Sequence, residues 1–75
     1  MISFEEFKEL LKEKVVNMVD GEVSIVTAVK NNGVKLDALS VKSKTSNLAP
    51  LIYLDSFYKD YKNGRSIENI VETIV

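Results

Sequence analysis

The sequence predicts a small α+β domain in which a three-stranded antiparallel meander sheet is packed on one face by helices, in the order α-β-β-β-α-α. Three patterns carry this prediction. Apolar residues recur at helical spacing near the start of the chain. An Asn-Gly turn then separates two segments rich in alternating apolar residues, and a short apolar run leads into two short helices. At 75 residues, the chain is expected to form a single domain over residues 1–75.

The first helix is predicted to run from Phe4 to about Met18. Ser3 is a preferred N-cap, and Glu6 three residues later completes a capping box. Asp20-Gly21 is predicted to end the helix, because glycine enters the left-handed backbone region without penalty. The face turned away from the apolar stripe carries two pairs at ion-pair spacing, Glu5 with Lys8 and Glu9 with Lys12.

A β-hairpin is predicted next. Residues 23–29 alternate with strand period, and Asn32-Gly33 is typical of a two-residue type I′ turn with positive φ at both residues. That turn places Lys30 directly opposite Lys35. It also places Ile25 opposite Ser40, which is a poor core pairing.

A bulge near Asp37–Leu39 would improve this pairing. One extra residue there would bring Leu39 and Val41 opposite Ile25 and Val23. The alternative is a second strand that is apolar on both faces.

The second half of the chain is predicted to contain a polar loop at residues 43–47, a short edge strand after Pro50, and two helices. Asp55 is the expected N-cap of the first of these helices, which closes at Asn63-Gly64. Ser66 is the expected N-cap of the last. The predicted core combines the apolar positions of all six elements: Phe4, Phe7, Leu11, Val15, Val23, Ile25, Leu36, Ile52, Leu54, Phe57, Ile70 and Ile74.

The composition argues against an enzyme. The chain contains no cysteine and no histidine, so it lacks thiolate ligands, the commonest general base and the commonest transition-metal ligand. No glycine-rich phosphate loop and no EF-hand spacing occur. We therefore expect no catalytic residue, no cofactor and no metal site. The absence of a signal peptide and of an apolar segment long enough to span a membrane predicts a cytoplasmic protein without membrane contact.

Charge is distributed unevenly along the chain. The overall net charge is −1, but residues 30–65 carry seven lysines or arginines against three aspartates. This basic middle could face an anion, or its lysines could solvate a sheet edge and discourage edge-to-edge pairing.

Two features could form an interaction surface. Lys30 and Lys35 at the hairpin tip would be like charges opposite each other, unless an anion or a partner satisfies them. Aromatic residues also alternate with cations, as in proteins that stack single-stranded nucleic acid, although these rings could instead complete the core with their hydroxyls in water. The candidate surface residues are Lys30, Lys35, Tyr53, Tyr58, Tyr61, Lys62 and Arg65.

Several of these segments resemble an uncharacterised family of gut bacteria, the domain of unknown function 5688. The resemblance rests on Lys30-Asn31-Asn32-Gly33, on Leu36-Asp37-Ala38-Leu39, on residues 49–54, on Phe57-Tyr58 through Tyr61 to Gly64, and on the helix at Ser66-Ile67-Glu68. It implies a bacterial cytoplasmic protein whose relatives continue beyond the last helix. It implies no catalytic residue.

These observations predict a non-catalytic protein-interaction module, the N-terminal part of a longer protein, whose partner is another protein or the remainder of the same chain. The apolar end at Thr73-Ile74-Val75 favours a longer protein, and the alternative is a natural end packed on the core. Two other functions stay open: a nucleic-acid-binding domain using the basic middle, and a self-contained regulatory inhibitor encoded on a mobile element. Nucleic acid is disfavoured because the first and last helices are acidic.

Overall fold

The computed structural model describes residues 1–45 and 50–75. Its three strands form an antiparallel sheet in the order β1-β2-β3. The predicted fold class and element order are confirmed. The elements are α1 (Phe4–Val16), β1 (Gly21–Val29), β2 (Lys35–Ser43), β3 (Leu51–Tyr53), α2 (Asp55–Lys62) and α3 (Ile67–Ile74).

Helix α1 begins as predicted and ends two residues early. The Ser3 hydroxyl accepts a hydrogen bond from the backbone N–H of Glu6 at 3.2 Å, so it satisfies one of the free donors of the first turn. The helix ends at Val16, not at Met18, with Asn17 as its C-cap.

Gly21 does not end α1, so this part of the prediction was wrong. Gly21 is the first residue of β1 and pairs with Ser43. It has no positive φ. A Cβ atom here would lie only 2.0 Å from the carbonyl oxygen of Lys42. Glycine is required because the backbone of β2 passes too close for any side chain.

The hairpin turn also differs from the prediction. Gly33 has a φ of +82°, but neither Asn31 nor Asn32 has a positive φ, so the turn is not type I′. The N–H of Gly33 donates to the carbonyl of Lys30 at 2.8 Å, and the N–H of Lys30 donates to the carbonyl of Val34 at 2.9 Å. These bonds define a three-residue loop, in which a type I turn is followed by a glycine in the left-handed region.

The longer loop shifts the register by one residue and produces the apolar pairing that a bulge was expected to supply. Ile25 lies opposite Leu39 and Val23 opposite Val41, within a ladder that is continuous from Gly21 to Val29. The extra residue is therefore at Gly33, not near Asp37–Leu39.

Strand β3 is a short edge strand directly after Pro50, as predicted. The N–H of Val41 donates to the carbonyl of Pro50 at 3.4 Å, so the proline joins the ladder through the one group it retains. Of the predicted polar loop, Ser43 belongs to β2 and residues 44–45 form a turn. Its residues 46–47 lie outside the described part of the chain, as does Ala49 of the family resemblance.

Helices α2 and α3 differ in how they begin. The Ser66 hydroxyl caps α3 by accepting from the N–H of Asn69 at 3.1 Å, as predicted. Asp55, by contrast, is the first residue of α2, and Leu54 occupies the N-cap position without a side-chain hydrogen bond. Leu54 is held there by burial and by its N–H, which donates to the carbonyl of Asp37 at 3.0 Å.

The end of α2 is a Schellman motif. Gly64 has a φ of +107°. Its N–H donates to the carbonyl of Tyr61, and the N–H of Arg65 donates to the carbonyl of Asp60, both at 3.0 Å. This pair of bonds closes the helix and redirects the chain into α3.

The core lies between the sheet and the helices. Six predicted members are buried, and five more are half-buried against them, namely Phe4, Ile25, Ile52, Phe57 and Ile74. Val71 is also buried, although it was not predicted. The complete buried cluster is Phe7, Leu11, Val15, Val23, Leu39, Leu54, Ile70 and Val71.

Leu36 was wrongly assigned to this core. It lies opposite Ala28, whereas Leu39 lies opposite Ile25 and is fully buried. Because side chains alternate between the two faces of a sheet, the one-residue shift in register moves Leu36 to the other face. Leu39 takes its place beneath the helices.

We predict that Gly33→Ala lowers the free energy of unfolding by about 1–2 kcal/mol, because an L-residue is strained at this φ. Apart from its two chain neighbours, no atom of residues 1–45 and 50–75 lies within 4 Å of the added Cβ, so the cost is conformational. Gly33→Asn is the matched control and should lose less, since asparagine tolerates the left-handed region. Urea unfolding measures both. Equal stability of wild type and Gly33→Ala would contradict the left-handed conformation of Gly33 in the turn.

Candidate interaction surface

In the part of the chain that the structure describes, one face of the sheet is free of helices, and we call it the open face. It follows from the register, because residues directly opposite each other point to the same side and neighbours along a strand alternate. The open face consists of Glu22, Ser24, Val26, Ala28 and Lys30 in and after β1, Leu36, Ala38, Ser40 and Lys42 in β2, and Leu51 and Tyr53 in β3.

The centre of the open face is apolar. Ala38 is fully buried although no helix covers it, because Val26 and Tyr53 flank it on the adjacent strands. Leu51 and Tyr53 remain 45% and 37% exposed. They point to the same side of β3 and present an aliphatic and an aromatic side chain next to each other.

Two of the seven candidate residues meet on this face. The Nζ atom of Lys30 lies 5.0 Å from the centroid of the Tyr53 ring, a cation–π contact of about 0.5–1 kcal/mol at an exposed site. Together with Val29, Asn31 and Asn32 they line a shallow depression of about 440 Å³ at the hairpin tip. Lys30 thus has an aromatic partner on the sheet.

Lys35 is not opposite Lys30, so the predicted clash of like charges is wrong. Lys35 lies opposite Val29, and Lys30 pairs with Val34. Because the register differs by one residue, the two lysines point to opposite faces of the hairpin. No anion is needed to hold them together.

Tyr58 and Tyr61 belong to an aromatic cluster with Phe4 and Phe7. The centroid of the Tyr58 ring lies 5.0 Å from that of Phe4 and 5.1 Å from that of Phe7, and Tyr61 lies 5.3 Å from Phe7. The Tyr58 hydroxyl donates to the carbonyl of Ile2 at 3.0 Å, and the Tyr61 hydroxyl accepts from the N–H of Ile2 at 3.3 Å. These rings fasten the N-terminus to α2.

The two remaining candidates lie on the helical side. Arg65 donates to Asp60, Asn69 and Thr73, and its guanidinium lies 5.7 Å from the ring centroid of Phe57. Lys62 lies over Tyr58 at 5.1 Å. Arg65 therefore joins α2 to α3, and neither cation lies near the Lys30–Tyr53 pair.

Sequence reasoning missed an ion pair that joins α1 to the sheet. Lys8 was expected on the solvent side of α1, but its side chain is only 8% exposed, and its Nζ atom lies 2.6 Å from Oδ2 of Asp37. The predicted contact with Glu5 also forms, at 2.9 Å, whereas the predicted Glu9–Lys12 pair, also in the described part of the chain, does not. Thr27 donates its hydroxyl to the other oxygen of Asp37 at 3.2 Å.

The pKa of each residue in this pair is shifted in the direction that favours its charged form. The hydrogen bond from Lys8 holds the pKa of Asp37 below its usual value, against the opposing effect of desolvation. The hydrogen bond to Asp37 raises the pKa of Lys8 in the same way. Since Lys8 and Thr27 occupy both oxygens of Asp37, the cluster is a structural link between α1, β1 and β2.

The acidic residues do not form a cation site in residues 1–45 and 50–75, where no group of three or more could hold a metal ion. Within the same residues, no helix has the length and apolar character needed to cross a membrane.

A protein-family model described as a family of unknown function, DUF5688, matches residues 4–75. This match covers nearly the whole chain and confirms the resemblance found in the sequence. Comparisons with curated proteins and with solved structures found no match.

We predict that Asp37→Asn lowers the free energy of unfolding at pH 7 by roughly 2–3 kcal/mol, because it leaves the buried Lys8 ammonium with only the exposed carboxylate of Glu5 as a charged partner. The contribution of Asp37 is present above its unfolded pKa and is lost as pH falls through its lower folded pKa. Below about pH 4, the free energy of unfolding of Asp37→Asn should therefore depend less on pH than that of wild type.

Glu5→Gln is the matched control. Glu5 touches the same ammonium but is 83% exposed, so its loss should change the free energy of unfolding by less than about 1 kcal/mol. Equal effects of Asp37→Asn and Glu5→Gln would contradict a structural role for the Lys8–Asp37 pair.

Proposed function

The chain belongs to a family of unknown function, DUF5688, and we propose that it is a non-catalytic protein-interaction domain that binds its partner on the open face. The partner is a segment of another protein or of the remainder of the same chain. The observation that carries the proposal is the apolar centre of this face, in particular Leu51 and Tyr53, which remain exposed while the opposite face is covered by helices.

The chemistry of this centre suits protein binding. Contiguous exposed apolar side chains mark interaction sites more often than scattered ones do. Tyrosine is enriched among the residues that dominate binding energy, since its ring buries a large area and its hydroxyl still finds a polar partner. Leu51 and Tyr53 also stand on a sheet, so little side-chain ordering is needed before a partner docks.

The charges around the centre define the partner further. Lys30 lies at the hairpin end, next to Tyr53. At the other end Lys42 lies opposite Glu22, which offsets its charge. The uncompensated charge on the open face is therefore positive and lies beside Tyr53, so we expect a partner segment with apolar side chains and a carboxylate at the position facing Lys30.

The distribution of cations does not favour nucleic acid. Lys30 and Lys42 lie on the open face and Lys35 on the other face of the hairpin, while Arg65 is bound to Asp60. Phosphate binding needs many cations converging on one surface. Tyr58 and Tyr61, which were candidates for stacking on bases, are half-buried against Phe4 and Phe7.

The proposal extends to the cellular setting. The family resemblance implies a bacterial protein of the cytoplasm.

We predict that Tyr53→Ser and Leu51→Ser weaken the binding of peptides selected on the wild-type chain from a displayed random library. Selected peptides should combine apolar residues with Asp or Glu, and each single variant should weaken their binding at least about tenfold, as expected for a central contact residue. Fluorescence anisotropy with labelled selected peptides measures the affinities.

Met18→Ser is the matched control, because Met18 is 57% exposed but lies at the end of α1, away from the open face. It should bind the selected peptides like wild type. Equal losses in Met18→Ser and Tyr53→Ser, or selection of no peptide, would disprove the assignment of the open face. Salt-sensitive micromolar binding of duplex RNA or single-stranded DNA would favour a nucleic-acid-binding domain instead.

A further inference from the structure

Strand β1 has a free backbone edge along its full length. The N–H of Lys30 donates to Val34, and the carbonyl of Asp20 accepts from the N–H of Lys44. Even-numbered residues therefore bond to β2, and in an antiparallel ladder the odd-numbered residues direct their N–H and C=O groups outward. Among the described residues, no hydrogen bond reaches these outward groups. They belong to Gly21, Val23, Ile25, Thr27 and Val29.

This edge lacks the features that usually prevent pairing. The opposite edge of the sheet, β3, is only three residues long and follows Pro50. Strand β1 has nine residues without a proline or a lysine, and its only charged residue is Glu22. Long edges without such protection are templates for another strand.

We propose that a second copy of this chain pairs with β1, antiparallel, and that the two sheets join into one sheet of six strands. The two-fold axis passes at Val26. This proposal concerns the strand edge and does not rest on the function assigned to the open face, although both use Lys30.

Charge complementarity selects this register. With the axis at Val26, Glu22 of each copy lies opposite Lys30 of the other, so the dimer contains the same ion pair twice. These are non-hydrogen-bonded positions, where opposite Cα atoms are about 4.5 Å apart and side chains are closest. With the axis at Ile25, Glu22 would face Ala28 instead, and Lys30 would face Asp20, which already pairs with Lys44 of its own chain at 3.3 Å.

The same register is favourable on the helical side. Val29 is 64% exposed in the single chain, and it would lie opposite Val23 of the second copy. Ile25 would lie opposite Thr27. All four are outward-directed residues, so each pair can exchange two backbone hydrogen bonds, and Val29 gains apolar cover.

Sedimentation equilibrium of the chain, from about 5 µM to about 1 mM, tests for the dimer, since self-association depends on concentration. The expected result is a shift from 8.4 kDa toward twice that mass. Amide hydrogen exchange by NMR tests the edge in the same samples. The amides of Val23, Ile25, Thr27 and Val29 should exchange rapidly when dilute and become protected when concentrated, whereas the even-numbered amides of β1 should be protected throughout.

A charge exchange tests the register. Glu22→Lys places like charges opposite each other twice in the dimer, as does Lys30→Glu, so each should raise the dimer dissociation constant by about tenfold or more. The double variant Glu22→Lys/Lys30→Glu restores both pairs and should dimerise like wild type. Lys35→Glu, which makes the same charge change away from the edge, should have no effect. All three positions are exposed, so the variants should fold, which the melting temperature of dilute samples verifies.

A chain that stays monomeric at about 1 mM would overturn the proposal. Concentration-dependent dimerisation without protection of the odd-numbered amides would overturn it as well, because the contact would then lie elsewhere. If the odd-numbered amides are protected but the charge variants have the same dimer dissociation constant as wild type, the axis at Val26 is wrong.

Discussion

The register between β1 and β2 is the constraint on which the rest of the structure depends. Side chains alternate along a strand, so a shift of one residue would exchange everything that faces the helices with everything that faces away. The register is fixed at the hairpin tip, where Gly33 adopts a φ of +82° and lengthens the loop to three residues. It brings Leu39 under the helices and leaves Leu36 on the open face.

One contact attaches α1 to a sheet of this register, and a second attaches the N-terminus to α2. Lys8 of α1 reaches Asp37 in β2, and Thr27 in β1 bonds to the same carboxylate, which is possible only because Thr27 and Asp37 lie opposite each other. Just before α1, Tyr58 and Tyr61 of α2 bond to Ile2. A chain of this length buries a small core, so a few such links account for a considerable share of its stability.

The same geometry accounts for the two unoccupied surfaces. Among residues 1–45 and 50–75, three helices cover one face of a three-stranded sheet and none covers the other, so Leu51 and Tyr53 stay accessible. A sheet that does not close also retains two edges. Strand β3 is too short to be a good template, and β1 is long and nearly uncharged. In the six-stranded arrangement the two open faces would lie side by side, and the edge contact would engage Lys30 but leave Leu51 and Tyr53 of both copies uncovered.

Local patterns in the sequence determined the order of the elements, the caps at Ser3 and Ser66, and the Schellman glycine at Gly64, because these features depend on residues within one or two helical turns. They also located the hairpin and most of the core. The family followed from motifs that are contiguous in the chain.

Long-range packing decided the rest. An Asn-Gly pair fits both a two-residue and a three-residue loop, and only the pairing of Val23 and Ile25 with Val41 and Leu39 selects the longer one. The need for glycine at position 21 arises from the carbonyl of Lys42, 21 residues away. Long-range packing also separates the candidate residues that were predicted to form one surface. Lys30 contacts Tyr53 across an intervening strand, whereas Tyr58 and Tyr61 pack against the core. Residue types and spacing cannot fix such contacts, because they depend on which faces of distant elements meet.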